Sequence, residues 1–217
     1  MMDTSPVILA DFPMEIKKRD ILRLLGYRRA KTPPSRVLKL VEEVVTRASE
    51  LIFPRAVYRL IPEKEYPKHT LFRETEVIGL AICTVGEKLD EEITKLSEKG
   101  EMLETLILDA LGSEALERTA DYTNAHICHR EDIAHLHPYP RISPGYGKWE
   151  LEQQRIIFSF LPVEKIGVML TPGLIMVPRK SLSFAVRLMK KPYPYPTKPS
   201  LCDICYLKHC PFHQKEG

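Results

Sequence analysis

No stretch of the sequence approaches the ~20 consecutive apolar residues that a membrane-spanning helix requires. The opening residues, MMDTSPVILADFP, place no basic group ahead of their short apolar run, which argues against a secretory signal. Charge of one sign is also scarce: 32 Lys and Arg against 29 Asp and Glu leave a formal net charge of +3, spread along the chain. That is too little to argue for a nucleic-acid partner. Cysteine is sparse until the end, with Cys83 and Cys128 followed by Cys202, Cys205 and Cys210 near the C-terminus, a pattern unlike a secreted disulfide framework. There is no internal repeat. What remains is a 217-residue chain with 44% hydrophobic residues, enough for a substantial core. The expectation is a cytoplasmic globular protein with no membrane and no nucleic-acid partner.

Apolar spacing divides the chain into elements. Residues 14–25 carry Ile16, Ile21, Leu24 and Leu25 on one side, with Gly26 placed to end a short helix. Ser35 is positioned to cap a second helix whose stripe Val37, Val41, Val44, Ala48, Leu51 runs to Phe53-Pro54. Residues 56–61 and 77–85 read as strands, the latter so continuously apolar that both its faces should be covered. Helices are expected over 87–98 and 102–126, the second turning Leu103, Leu106, Ile107, Ala110 and Leu111 to a core, and again over 150–161. Residues 166–170, 174–177 and 182–189 read as short strands. This pattern is a mixed α+β domain, residues 1–190, followed by a proline-rich, cysteine-containing tail, residues 191–217.

Between the last two helices lies the most informative stretch, Arg141-Ile142-Ser143-Pro144-Gly145-Tyr146-Gly147. Pro144 stiffens a turn, and the glycines let a ligand come close to the main chain. Arg141 offers a planar fork for a carboxylate, and Tyr146 offers a ring face and a hydroxyl. Such a set suits a zwitterionic, amino-acid-like ligand bearing an aromatic base; it also suits a rigid turn leading into a helix. Arg141 locked in an internal ion pair, with no cleft in front of Tyr146, would rule out the first role.

The same stretch, followed by Ile166-Gly167-Val168-Met169-Leu170-Thr171 and Met176-Val177-Pro178-Arg179-Lys180-Ser181-Leu182-Ser183, resembles the activation domain of vitamin B12-dependent methionine synthases. That family carries an Arg-x-x-x-Gly-Tyr motif, here Arg141, Gly145 and Tyr146, then a helix and the two elements just quoted. The ordered run spans about residues 109–184. The resemblance implies a curved α+β domain built on a twisted antiparallel sheet flanked by helices. It also implies binding of S-adenosylmethionine and support of reductive methylation of cobalamin supplied by a partner, a cobalamin-binding methionine synthase chain, with an electron donor such as a flavodoxin.

By position, the resemblance implies that Arg141 grips the methionyl carboxylate while Pro144, Gly145 and Tyr146 flank the adenosine. Glu117, with Asp121 one helical turn on, is the counterpart of a family glutamate on the preceding helix; a solvated helix surface is the alternative for both acids. Tyr193 or Tyr195 corresponds to a family tyrosine after the last strand. Ser183-Phe184 stands where the family often has Ser-Gly, and no cobalamin-binding Asp-x-His-x-x-Gly motif is present. No catalytic nucleophile or triad is expected, because positioning and exclusion of water suffice for this chemistry.

The tail motif Cys202-x-x-Cys205-x4-Cys210-x-x-His213 has spacing compatible with a zinc site or with three thiolates of an iron–sulfur cluster, with His209, His213 or Cys128 as further ligand; reduced thiols or a disulfide fit equally. A cluster there would relay electrons, giving a second functional reading: a reductive activator of another corrinoid protein. A third is a zinc-stabilised binding protein in which the Arg141 loop is only a turn. His126, His129, His135 and His137 precede that loop and are expected to be structural.

Overall fold

The computed structural model describes residues 2–27 and 32–193. Its elements run β1 (Val7–Leu9), α1 (Lys18–Leu24), α2 (Ser35–Thr46), α3 (Ala48–Leu51), β2 (Arg55–Pro62), β3 (Val77–Thr84), α4 (Lys88–Glu98), α5 (Met102–Cys128), β4 (His137–Pro138), α6 (Gln154–Phe160), β5 (Met169–Leu170), β6 (Met176–Val177) and β7 (Ser181–Met189), with short 3-10 turns between. Five strands form one sheet in the order β1-β2-β3-β7-β4, all antiparallel, while β5 and β6 pair as a separate hairpin.

The unbroken apolar run of β3 is buried at every position, because helices cover both faces. On one face Ala81, Cys83, Phe184, Val186 and Leu188 meet Ala120 and Ile127 of α5. On the other, Ile78, Leu80, Ile82 and Ala185 meet Trp149, Ile157 and Ile166. A helical core joins Ile21, Val41, Val44 and Leu89 to Ile107 and Leu111 at the start of α5. Burying each large aliphatic chain contributes about 1.5–3 kcal/mol, an upper figure because unfolded chains already bury some surface. Helix α5, 27 residues and roughly 40 Å long, is therefore fixed at both ends by different cores, and the side chains on its flank are held against the sheet.

Several local expectations are corrected. Helix α1 covers only Lys18–Leu24, because the chain before it is extended and no side chain caps its start; Met14 and Ile16 still pack on the helical core, and Gly26 ends the helix with φ +85° as expected. Ser35 is the first helical residue rather than the cap: Pro34 takes that place, its carbonyl accepting from the Val37 and Leu38 N–H groups. Leu106 is 56% exposed, since the buried face runs through Ile107, Leu108 and Leu111 while Leu106 lies with Met102 on an outer flank. Val163–Ile166 is a 3-10 turn ended by left-handed Gly167, which leaves only Met169–Leu170 as strand. The helix expected from residue 150 opens as a 3-10 turn, Leu151–Gln153, before α6. Among the described residues no helix is long and apolar enough to cross a membrane.

Candidate functional site

Beyond β4 the chain continues along the edge of β7. The Tyr139 N–H donates to the Arg187 carbonyl at 2.8 Å, and Ile142 and Ala185 exchange backbone bonds of 2.9 and 2.8 Å. Arg141 is held between these anchors, and its guanidinium lies 5.5 Å from the Phe184 ring centroid. Glu117 and Asp121 reach the same group from α5: Arg141 Nη2 donates to Glu117 Oε2 at 2.6 Å and to Asp121 Oδ1 at 3.1 Å. The cation is almost wholly buried, at 8% side-chain exposure, while Glu117 and Asp121 are 39% and 63% exposed. A cation seated on the sheet thus carries two anions on its solvent side.

The electrostatics follow from that layering. Burial by itself would lower the Arg141 guanidinium, but Glu117 and Asp121 together outweigh it and hold the group above its ordinary value. Crowding by surrounding protein raises the Asp121 carboxyl, against the pull of Arg141 and with added repulsion from Glu117. Arg141 is engaged in an internal ion pair. The reason is general, since a guanidinium cannot leave water without counter-charge. Its partners are the two acids that the sequence singles out for the same ligand.

The loop after Arg141 is a closed turn. Gly145 and Gly147 adopt φ +90° and +61°, Pro144 is buried, and the Gly145 N–H donates to the Trp149 carbonyl at 2.7 Å. The Tyr146 N–H donates to the Ser143 carbonyl at 3.2 Å, and the Trp149 N–H donates back to the Tyr146 carbonyl at 3.1 Å. Trp149, 1% exposed, plugs the loop into the core edge-on to Phe72. With those N–H groups committed inside the loop, its outward offering is the Tyr146 side chain, 49% exposed.

The remaining residues divide. Phe184, where the resembling family often has glycine, is the ring under Arg141, a role that no periodicity in the sequence signals. Tyr193 packs edge-on against Tyr139, whose ring lies 5.0 Å from the Arg187 guanidinium. By alternation along β7, Arg187 and Phe184 point to opposite faces. His126 Nδ1 meets the Tyr58 hydroxyl at 3.0 Å, a structural role. Cys83 is buried at 3.4 Å from Thr123 Oγ1, and burial pushes its thiol up to about 12, so it is no nucleophile. Among the described residues no group of three or more His, Cys, Asp or Glu side chains is arranged to hold a metal. Tyr195, Cys202, Cys205, His209, Cys210 and His213 lie outside the described residues. A surface cavity of about 900 Å³ lies against Phe12, Ile52 and Tyr122 and includes neither Arg141 nor Tyr146.

No protein-family model and no curated protein matches the chain. Among solved structures, the crystal structure of the MetH reactivation domain bound to AdoHcy superposes with a TM-score of 0.64 at 16% sequence identity, over 88% of this chain and 81% of that one. The chain therefore has the fold of the MetH reactivation domain.

Proposed function

We propose that the chain binds S-adenosylmethionine and supports reductive methylation of cobalamin carried by a separate methionine synthase chain, in the cytoplasm and with electrons from a donor such as a flavodoxin. The observation that carries this reading is the fold, shared with a solved structure that holds AdoHcy; on it Glu117 and Asp121 converge on Arg141, and a ligand carboxylate would have to draw that guanidinium out of its ion pair. The donor set fits such a ligand. Two carboxylates suit the α-ammonium and sulfonium, the guanidinium suits the carboxylate, and the exposed Tyr146 ring suits an adenine.

When bound, S-adenosylmethionine supplies a methyl group on a sulfonium, which traps a cobalt(I) nucleophile and so draws an unfavourable reduction forward. The chain's residues need only bind, orient and keep water away. Isothermal titration calorimetry tests the proposal: the folded chain takes up S-adenosylmethionine, and absence of any binding overturns it.

A further inference from the structure

Arg118, Arg130 and Arg141 each meet a carboxylate at 2.9 Å or less. Arg187, half-buried on β7, has no carboxylate partner among the described residues. Its Nη1 donates to the Leu71 carbonyl at 3.1 Å, which brings a dipole but no charge. Its Nε, on the edge where an Nε–H and an Nη2–H run parallel, is buried without a hydrogen-bond partner. The guanidinium lies 5.0 Å from the Tyr139 ring centroid, and the Tyr193 ring stands edge-on to Tyr139 at 4.8 Å. A ring face attracts a cation without neutralising it. Against burial, Glu117 and Asp121 hold the Arg141 guanidinium above its ordinary value. Burial leaves Arg187 below its own, with the phenols of Tyr139 and Tyr193 acting the other way. The two guanidinia thus share no partner.

We infer that Arg187, with Tyr139 and Tyr193, forms an anion site for the phosphate group of a small ester, separate from the Arg141 group. A buried N–H without an acceptor and a cation without a counter-charge require the same thing, an oxyanion. Phosphate fits better than a carboxylate. One pair of its oxygens serves the guanidinium edge, and further oxygens remain for the two phenol hydroxyls. The bracket is held by main chain: the Tyr139 N–H donates to the Arg187 carbonyl at 2.8 Å, which fixes ring and guanidinium together. The Leu71 carbonyl, by holding Nη1, sets the orientation of the fork.

Calorimetry on the full chain with inorganic phosphate, at constant ionic strength and with acetate as the carboxylate probe, tests the inference. The wild-type chain should take up phosphate saturably and hold acetate roughly tenfold more weakly. Arg187→Gln should lower phosphate affinity by roughly tenfold or more. Arg187→Lys, which keeps the charge but not the fork, should lower it severalfold. Circular dichroism checks that each variant is folded, and the lysine variant carries the comparison should the glutamine variant not fold. A folded wild type without saturable phosphate uptake overturns the inference. Equal affinity in the wild type and the folded variants also overturns it, because the phosphate then sits elsewhere. Acetate held as tightly as phosphate overturns the assignment to a phosphate group.

Discussion

Arg141 and Glu117 stand 24 residues apart in sequence and 2.6 Å apart in space, the guanidinium almost fully out of water and the carboxylate well in it. Removing the cation leaves two carboxylates that water can re-solvate, so Arg141→Ala should destabilise the fold by only about 1–3 kcal/mol, below the usual cost of breaking a sealed pair. Affinity for S-adenosylmethionine should fall by ~2 kcal/mol or more, because a charge-assisted contact is lost. Arg141→Lys should recover part of the stability but little of the affinity, since an ammonium lacks the planar fork. Urea titration and calorimetry on the same preparations separate the two effects.

Gly112 lets α5 lie close against α4. A methyl group there would come 2.3 Å from Leu89 Cδ2 and 3.1 Å from Lys180 Cγ. Alanine is the better helix former by ~1 kcal/mol, yet the overlap should prevail and leave Gly112→Ala less stable by about 1–3 kcal/mol. The expected signature is a lower urea midpoint with an unchanged slope; a raised midpoint would show that Leu89 yields freely.

Trp149 is the single tryptophan of the chain and is buried edge-on to Phe72, with ring centroids 5.4 Å apart. Its emission should therefore be that of a buried indole and shift to longer wavelength on unfolding. Trp149→Ala should cost about 3–5 kcal/mol and free the Gly145–Tyr146 turn, so ligand affinity falls along with stability. Trp149→Phe should retain most of both, as measured by thermal melting and calorimetry.

Alkaline pH should weaken the fold. Burial pushes the Cys83 thiol from 9.0 up to about 12 and the Tyr66 phenol from 10.0 up to about 12. Both groups keep their protons in the folded chain at pH values where the unfolded chain gives them up. Stability is thus unaffected by them below about pH 9 and falls as pH rises from there towards 12. Urea midpoints taken across that range should decline, and the decline should start later in Cys83→Ala.

Local pattern was enough for much of the fold. The apolar run of β3 required cover on both faces, the stripe Val37, Val41, Val44 required one buried helix face, and Gly26 required a helix end. Strands β1 and β4, of three and two residues, are too short for side-chain periodicity to mark them. Leu106 misled because an apolar side chain on a helix flank looks the same in sequence whether or not a neighbour covers it.

For the site, the sequence by itself determined the chemical types: a guanidinium, a stiff glycine turn with an outward tyrosine, and two acids one helical turn apart. Tertiary structure alone decided that α5 carries those acids onto Arg141, that Phe184 lies beneath it, and that Tyr193 packs on Tyr139. The physical reason is range. Side-chain periodicity reports which way a residue faces within its own element, whereas a buried charge finds its counter-ion wherever folding brings one, here more than twenty residues upstream.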